Sequence, residues 1–165
     1  MKHKPRAVRR RQQDVGVAVL KSFRVIYGSV RQHFRQVQEV CGLSGSQLWI
    51  LHEVLRADGI GVSELAEKLS IHQSTCSQLV EKLVRRGALK KVRGADDQRR
   101  VLLSVTASGK QIVARSPGPA EGVLPEAIAE LSRTELARLH SGLQKIIAAL
   151  DIKDEAAAER PMAEL

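Results

Sequence analysis

The chain has 165 residues, 43% of them hydrophobic, which suffices for one compact domain or for one domain with helical extensions. Aromatic residues make up only 2%, so the core has to be aliphatic, as it is where helices meet helices. Two cysteines exclude a disulfide framework, and the net charge of +9 favours an anionic partner, nucleic acid foremost. The basic start is not followed by the apolar stretch of a signal peptide. No apolar run approaches the ~20 residues that span a membrane. A cytoplasmic location is the expectation.

The charge is unevenly placed. Lys2, Lys4, Arg6, Arg9, Arg10 and Arg11 stand in residues 1–11 with no acid among them, which reads as a basic, disordered arm. From Gln12 to about Val40 a long helix is predicted. Val15, Val19, Phe23, Ile26, Val30, Phe34 and Val37 recur at three- and four-residue steps and so share one face. A helix of that length is expected to pack on a second chain or on another long helix. Gly42 ends it.

Ser44 and Gln47 have capping-box spacing, each side chain able to satisfy the other's free backbone N–H. They start a helix, LWILHEVLRAD, that ends at Asp58-Gly59. A short helix, VSELAEKL, covers 62–69, and a tight connection, Ser70-Ile71-His72, leads to a longer one over 73–86 that Gly87 stops. Leu89–Arg93 and Arg100–Val105 read as two strands of a hairpin with its turn at Gly94–Gln98. In the second strand Val101, Leu103 and Val105 form the packing face. Thr106 and Gly109 begin a helix over 106–115, which Ser116-Pro117-Gly118-Pro119 must break. A helix resumes near Val123 or Pro125. Ser132 with Glu135 opens the last one, which carries Leu136, Leu139, Leu143, Ile146, Ile147 and Leu150. The residues from 153 on read as a frayed tail.

The expected fold is therefore mainly α with a small β-hairpin wing. Residues 44–109 form a winged helix-turn-helix lobe, and 12–43 with 110–152 form a helical dimerisation region. In the second helix of the pair, Cys76, Leu79, Val80 and Leu83 face inward. That leaves Gln73, Ser74, Ser77 and Gln78 outside, side chains that can read base edges in a major groove wide enough for a helix. Arg85, Arg86 and Arg100 are phosphate candidates by charge.

GLSGSQLWILHEV, VSELAEKLSIHQSTCSQLVEKLVRRGAL and DDQRRVLLSVTASG resemble the MarR family of bacterial transcriptional regulators, a resemblance that covers about residues 15–150. Its most specific part is Asp97-x-Arg99, then a strand, Thr106 and Gly109; Val105 stands where the family usually has leucine. The resemblance implies an obligate homodimer whose first and last helices interlock. Two lobes then grip a pseudo-palindromic operator. It places Arg99 in the minor groove, Asp97 as the brace of the wing turn, and Gln73, Ser74, Ser77 and Gln78 on the base-reading face. It also implies repression relieved by a small aromatic acid or phenol bound between dimer body and lobe, where Phe34, Trp49 and His52 (with His33) could line a pocket.

Two alternatives stand beside this reading. A winged helix can instead present its polar face to a protein partner, and Cys41 could sense oxidants. Cys76 reads as a small buried apolar residue. Cys41, His52 and Glu53 lack the compact spacing of a metal site. Neither a catalytic constellation nor a phosphate-binding glycine loop is present, so no enzyme activity, cofactor or metal is expected.

Overall fold

The computed structural model describes residues 6–93 and 101–164. Asp97, Arg99 and Arg100 of the expected wing tip, and residues 1–5 of the expected arm, lie outside the described residues. The order of elements is α1 (Arg6–Cys41), α2 (Gly45–Arg56), α3 (Val62–Leu69), α4 (Gln73–Arg85), β1 (Leu89–Arg93), β2 (Val101–Val105), α5 (Ala107–Ala114), α6 (Val123–Ala129) and α7 (Arg133–Ala148). Two short 3-10 turns, Glu155–Glu159 and Met162–Glu164, follow.

The first helix starts ahead of the expected Gln12. Residues 6–11, read as part of a disordered arm, are helical, because the segment is four arginines and an alanine, strong helix formers, with one valine and no breaker. From Gln13 to Ser29 its side chains are exposed, including Val19, Phe23 and Ile26 on the predicted apolar face. The helix enters the core only with Val30, His33, Val37 and Cys41, a stripe of three- and four-residue steps.

The core sits around α2. Leu48, Ile50, Leu51 and Val54 are all 0% exposed, and each fully buried aliphatic side chain contributes roughly 1.5–3 kcal/mol. The helix starts where expected. Ser44 Oγ accepts from the Gln47 N–H, and Gln47 Oε1 accepts from the Ser44 N–H at 3.0 Å. Leu65 and Leu69 of α3, Leu79 and Leu83 of α4, Leu103 of β2 and Ile112 of α5 close over it.

The α4 helix ends in the arrangement that Gly87 predicts. Gly87 has φ +74°, the Ala88 N–H donates to the Leu83 carbonyl and the Gly87 N–H to that of Val84, which satisfies the last turn's free acceptors. The strands pair antiparallel from Leu89 opposite Val105 to Arg93 opposite Val101. The α2–α3 connection staples the hairpin to the lobe. The Gly59 N–H donates to Leu103 O at 2.9 Å and the Leu103 N–H to Ile60 O at 3.0 Å. Val101 departs from its expected place on the packing face: Leu103 and Val105 are buried, but Val101 is 49% exposed. There the hairpin only borders an open cleft with Val62, Ser63 and Glu64 at the start of α3.

The predicted break after α5 is present, with Gly118 and Gly122 both at positive φ. The capping box of Ser132 and Glu135 opens α7. That helix buries no residue, and Leu139, Ile146, Ile147 and Leu150 are exposed. The tail is not frayed as expected. It returns to α2, with Pro161 buried and Ser44 Oγ donating to Glu164 Oε1 at 3.0 Å. Gly45 makes this return possible, since a Cβ there would lie 2.3 Å from the Phe34 ring and 3.0 Å from the Ala163 Cβ.

Gly109, in the first turn of α5, has no such room to spare. A Cβ would stand 2.2 Å from the Ala88 carbonyl oxygen and 2.7 Å from Val105 Cγ1. Gly109→Ala gains about 1 kcal/mol of helix propensity but must push the backbone that joins α4 to the wing, at a typical cost of about 1–3 kcal/mol. A net fall in melting temperature by a few degrees is expected in a thermal melt followed by circular dichroism.

Candidate nucleic-acid interface

The α3–turn–α4 unit is positioned from three sides. Ser70 closes α3 in the left-handed conformation at φ 52°, and its neighbours turn the chain into α4 within three residues. Gln73 Nε2 donates to Ser63 Oγ at 2.9 Å, joining the two helices at their exposed ends. From below, the Glu53 carboxylate of α2, its side chain only 4% exposed, receives Lys68 Nζ of α3 at 2.6 Å and Arg56 Nη1 at 3.2 Å. A buried carboxylate without partners would be strongly destabilising, so this pairing fixes α3 against α2.

On α4 itself Cys76, Leu79, Val80 and Leu83 are buried as predicted. Gln73, Ser74 and Gln78 are exposed, and Ser77 is half-buried at the edge of the same face. His72, the residue before α4, makes no side-chain cap bond to the helix. The basic end carries Lys82 and Arg85, both exposed. Beside it in the wing, Lys91 pairs with Glu81 of α4.

Arg86 departs from its expected role. Its guanidinium turns away to the end of α1, Nη1 donating to Gly42 O at 2.6 Å and Nη2 to Cys41 O at 3.3 Å. A cation at the last turn of a helix meets both its free carbonyls and its dipole. Arg86 thus couples α4 to α1 instead of facing the surface that Gln73 and Gln78 share. Thr106 completes the scaffold at the base of the wing: its Oγ1 donates to Gly87 O at 2.6 Å and accepts from the Gly109 N–H at 3.1 Å.

Phe34 and Trp49 come together, each half-buried, in a crevice of about 220 Å³ between α1, α2, the α5–α6 connection and the tail. Ser46 Oγ, Trp49 Nε1 and Arg160 Nε line it, and none of them has a hydrogen-bond partner among the described residues. His52 does not join them. It lies on the other side of the Ala120–Pro125 segment, in a separate cleft with Glu53, Arg56 and Glu121. There burial, followed by the charge of Arg56, holds its imidazole below the usual histidine range, with Glu53 and Glu121 opposing. His33 is buried against Phe34, with ring centroids 5.5 Å apart.

Both thiols are packed side chains. Burial pushes Cys76 up to about 11. Cys41 is raised by burial, against the pull of Arg115 and Arg86, and its Sγ–H donates to Ile112 O at 3.8 Å. A protonated, enclosed thiol is a poor nucleophile. Among the described residues no cluster of His, Cys, Asp or Glu is suited to a metal ion, and no helix is long and apolar enough to cross a membrane.

Sequence reasoning missed His72, the turn of Arg86 towards α1, and the tail residues Glu159 and Arg160. The charge of the paired arginines was legible, but their directions depend on where α1 ends. Replacing each by glutamine separates the two. Arg86→Gln is expected to cost about 1 kcal/mol of stability through its lost charged hydrogen bonds, read by urea denaturation. Arg85→Gln, at an exposed side chain, is expected to leave stability unchanged in the same measurement.

The MarR family model matches residues 42–100, from the residue after α1 to the residue before β2. The chain is 28% identical over 116 residues, 66% of its length and 71% of the relative's, to the HTH-type transcriptional regulator YdgJ of Bacillus subtilis (strain 168). Among solved structures it is similar to the transcriptional regulator BldR from Sulfolobus solfataricus, with a TM-score of 0.52 and 22% identity, covering 83% of this chain and 97% of that one. It is also similar to a cysteine-to-serine variant of MarR from E. coli complexed with operator DNA, with a TM-score of 0.51 and 21% identity, covering 79% and 96% of the two chains. Over residues 42–100 the chain is similar to the MarR family, and its helix pair with the stapled wing shares the fold of these solved structures.

Proposed function

We propose that the chain is a sequence-specific, DNA-binding transcriptional regulator, a homodimeric repressor of a pseudo-palindromic operator that a small apolar or aromatic ligand releases. The observation that carries the reading is the outer face of α4. Gln73, Ser74 and Gln78 present uncharged donors and acceptors at one end, Lys82 and Arg85 present charge at the other, and the helix is clamped to a buried scaffold. Base readers in the groove and cations over the phosphates are what duplex recognition needs. On this reading Arg99 reaches the minor groove, Asp97 braces the turn beneath it, and Arg100 contacts phosphate. An arginine suits the narrow, negative minor groove. That a relative of the same fold is complexed with operator DNA supports the partner.

The dimer rests on the exposed apolar faces of α1 and α7. Phe23, Ile26, Leu139, Ile146 and Leu150 are all at least 40% exposed in one copy, more apolar surface than a monomer ordinarily leaves to water. The ligand reading rests on the crevice: apolar walls from Phe34 and Trp49, with Ser46 Oγ, Trp49 Nε1 and Arg160 Nε buried and unpartnered in the residues that line it, suit a small molecule that carries an acceptor group such as a carboxylate or phenolate.

Fluorescence anisotropy with duplexes from the chain's own promoter region and of random sequence tests the function. Affinity for the promoter duplex is expected to exceed that for random DNA and to fall steeply with salt. Arg99→Ala is expected to cost about 1–3 kcal/mol of the specific affinity. Equal affinity for the two duplexes at physiological salt overturns the regulator, and retention of a protein partner in competition with nucleic acid would favour an interaction module. In sedimentation velocity the wild type is expected to run as a dimer at micromolar concentration. Ile146→Glu, which changes a side chain already exposed in the single copy, is expected to run as a folded monomer.

A further inference from the structure

The tail that returns to α2 touches more than the crevice. Glu159 Oε2 lies 2.7 Å from His72 Nε2, at the start of α4. The same residue borders a cleft with Ser63, Ser70 and Gln73, the exposed junction of the helix pair. Its carboxylate therefore sits where the proposed interface begins. We propose that residues 155–164 are an autoinhibitory strap, a segment that competes with DNA phosphate for the N-terminal end of α4; the inference rests on the DNA-binding reading above.

Four observations carry it. The first is electrostatic. An α-helix attracts anions at its N-terminus through its dipole and its free N–H groups, and His72 leaves those groups without a side-chain cap. A carboxylate and a phosphate oxygen seek the same donors. Second, the tail is acidic on a basic chain. Residues 153–164 carry Asp154, Glu155, Glu159 and Glu164 against Lys153 and Arg160, whereas the whole chain has a net charge of +9. Third, the strap has a built seat. Pro161 is buried, Ala163 packs over the bare Cα of Gly45, Glu164 accepts from Ser44 Oγ, and Arg160 pairs with Asp154, the residue just before the segment. Fourth, the seat is shallow. The His72 and Glu159 side chains are 61% and 59% exposed, and exposed pairs of this kind contribute little. A duplex that makes several phosphate contacts at once displaces such a strap, while a single anion does not.

Strap and duplex exclude each other at His72. When DNA arrives, phosphate takes the place of Glu159 and the strap lifts. Lifting it uncovers Trp49, which shares a cavity wall with Pro161, Met162 and Ala163. Trp49 is the only tryptophan of the chain, so its emission reports the state of the strap directly.

The test uses the full chain with labelled duplexes from its own promoter region and of random sequence. Glu159→Gln is expected to tighten binding about two- to fivefold, the range that an exposed contact of one charged side chain spans. Glu155→Gln, which removes the same charge from the exposed outer side of the strap, is expected to change it less. Equal effects of the two substitutions overturn the proposal. Ala163→Glu sets the two influences against each other, because it adds a negative charge yet unseats the strap from Gly45. Red-shifted Trp49 emission without DNA, together with tighter binding, supports the strap. A red shift with weaker or unchanged binding, or no shift at all, overturns it. In the wild type, saturation with the promoter duplex should red-shift Trp49, and unaltered emission at saturation counts against the proposal. If no variant binds either duplex, the DNA reading itself fails and takes the strap with it. Binding without these changes removes the strap alone.

Discussion

Seven of the twelve residues of the second helix are buried, and the rest of the lobe follows from that. Leu48, Ile50, Leu51 and Val54 are fully enclosed, and even Glu53 is buried. A helix that is apolar around most of its circumference must be surrounded. The surrounding elements are the helix pair, the wing, the start of α5 and the last turns of α1. Glu53 then adds direction to what would otherwise be a non-specific wrapping. Its carboxylate, paired with Lys68 and Arg56, tolerates only those placements of α3 that bring the ammonium to it. The outer face of α4 is aimed by buried residues of α2.

Features set by neighbours in the chain were legible from the sequence. The capping boxes at Ser44 and Ser132, the stop at Gly87, the Thr106 cap and the break after α5 all involve residues within a few positions of one another, and each came out as its residue types dictate. The inward stripe of α4 was equally plain, because a helical period needs no knowledge of what it packs against. Features set across the chain were not legible. Arg85 and Arg86 are the same residue type side by side, yet the second is held by carbonyls from a helix end 44 positions earlier. His52 and Trp49 stand three residues apart on α2, but the Ala120–Pro125 segment passes between their environments. The tail looked frayed because its composition is polar and alanine-rich. What seats it is a missing side chain at Gly45, which no local pattern marks.

The crevice and the reading helix share an intermediary. Trp49 and Ser46 belong to α2 and Arg160 to the tail, so an acceptor-bearing molecule between them would bond to both. The next residue along from Arg160 is the one that contacts His72. Occupancy of the crevice and access to the start of α4 are thus one covalent bond apart, with no need for a chain of displaced side chains through the core. A strap of the kind proposed would have two discrete arrangements, docked and lifted, and a ligand would act on it only through its preference for one of them.

The connection between lobe and body is the remaining consequence. Pro117 and Pro119 have restricted backbone torsions, and Gly118 and Gly122 occupy conformations that other residues avoid. A continuous helix here would be a single rod, and any twist of the wing would be carried undiminished into the body. The observed connection is an elbow between two short rods, α5 and α6, with its angle written into backbone torsions. In the homodimer proposed above, the reach of one lobe relative to its counterpart would then be a matter of covalent geometry. It resists change by surface substitutions and would yield to the insertion or loss of a single residue between Arg115 and Gly122.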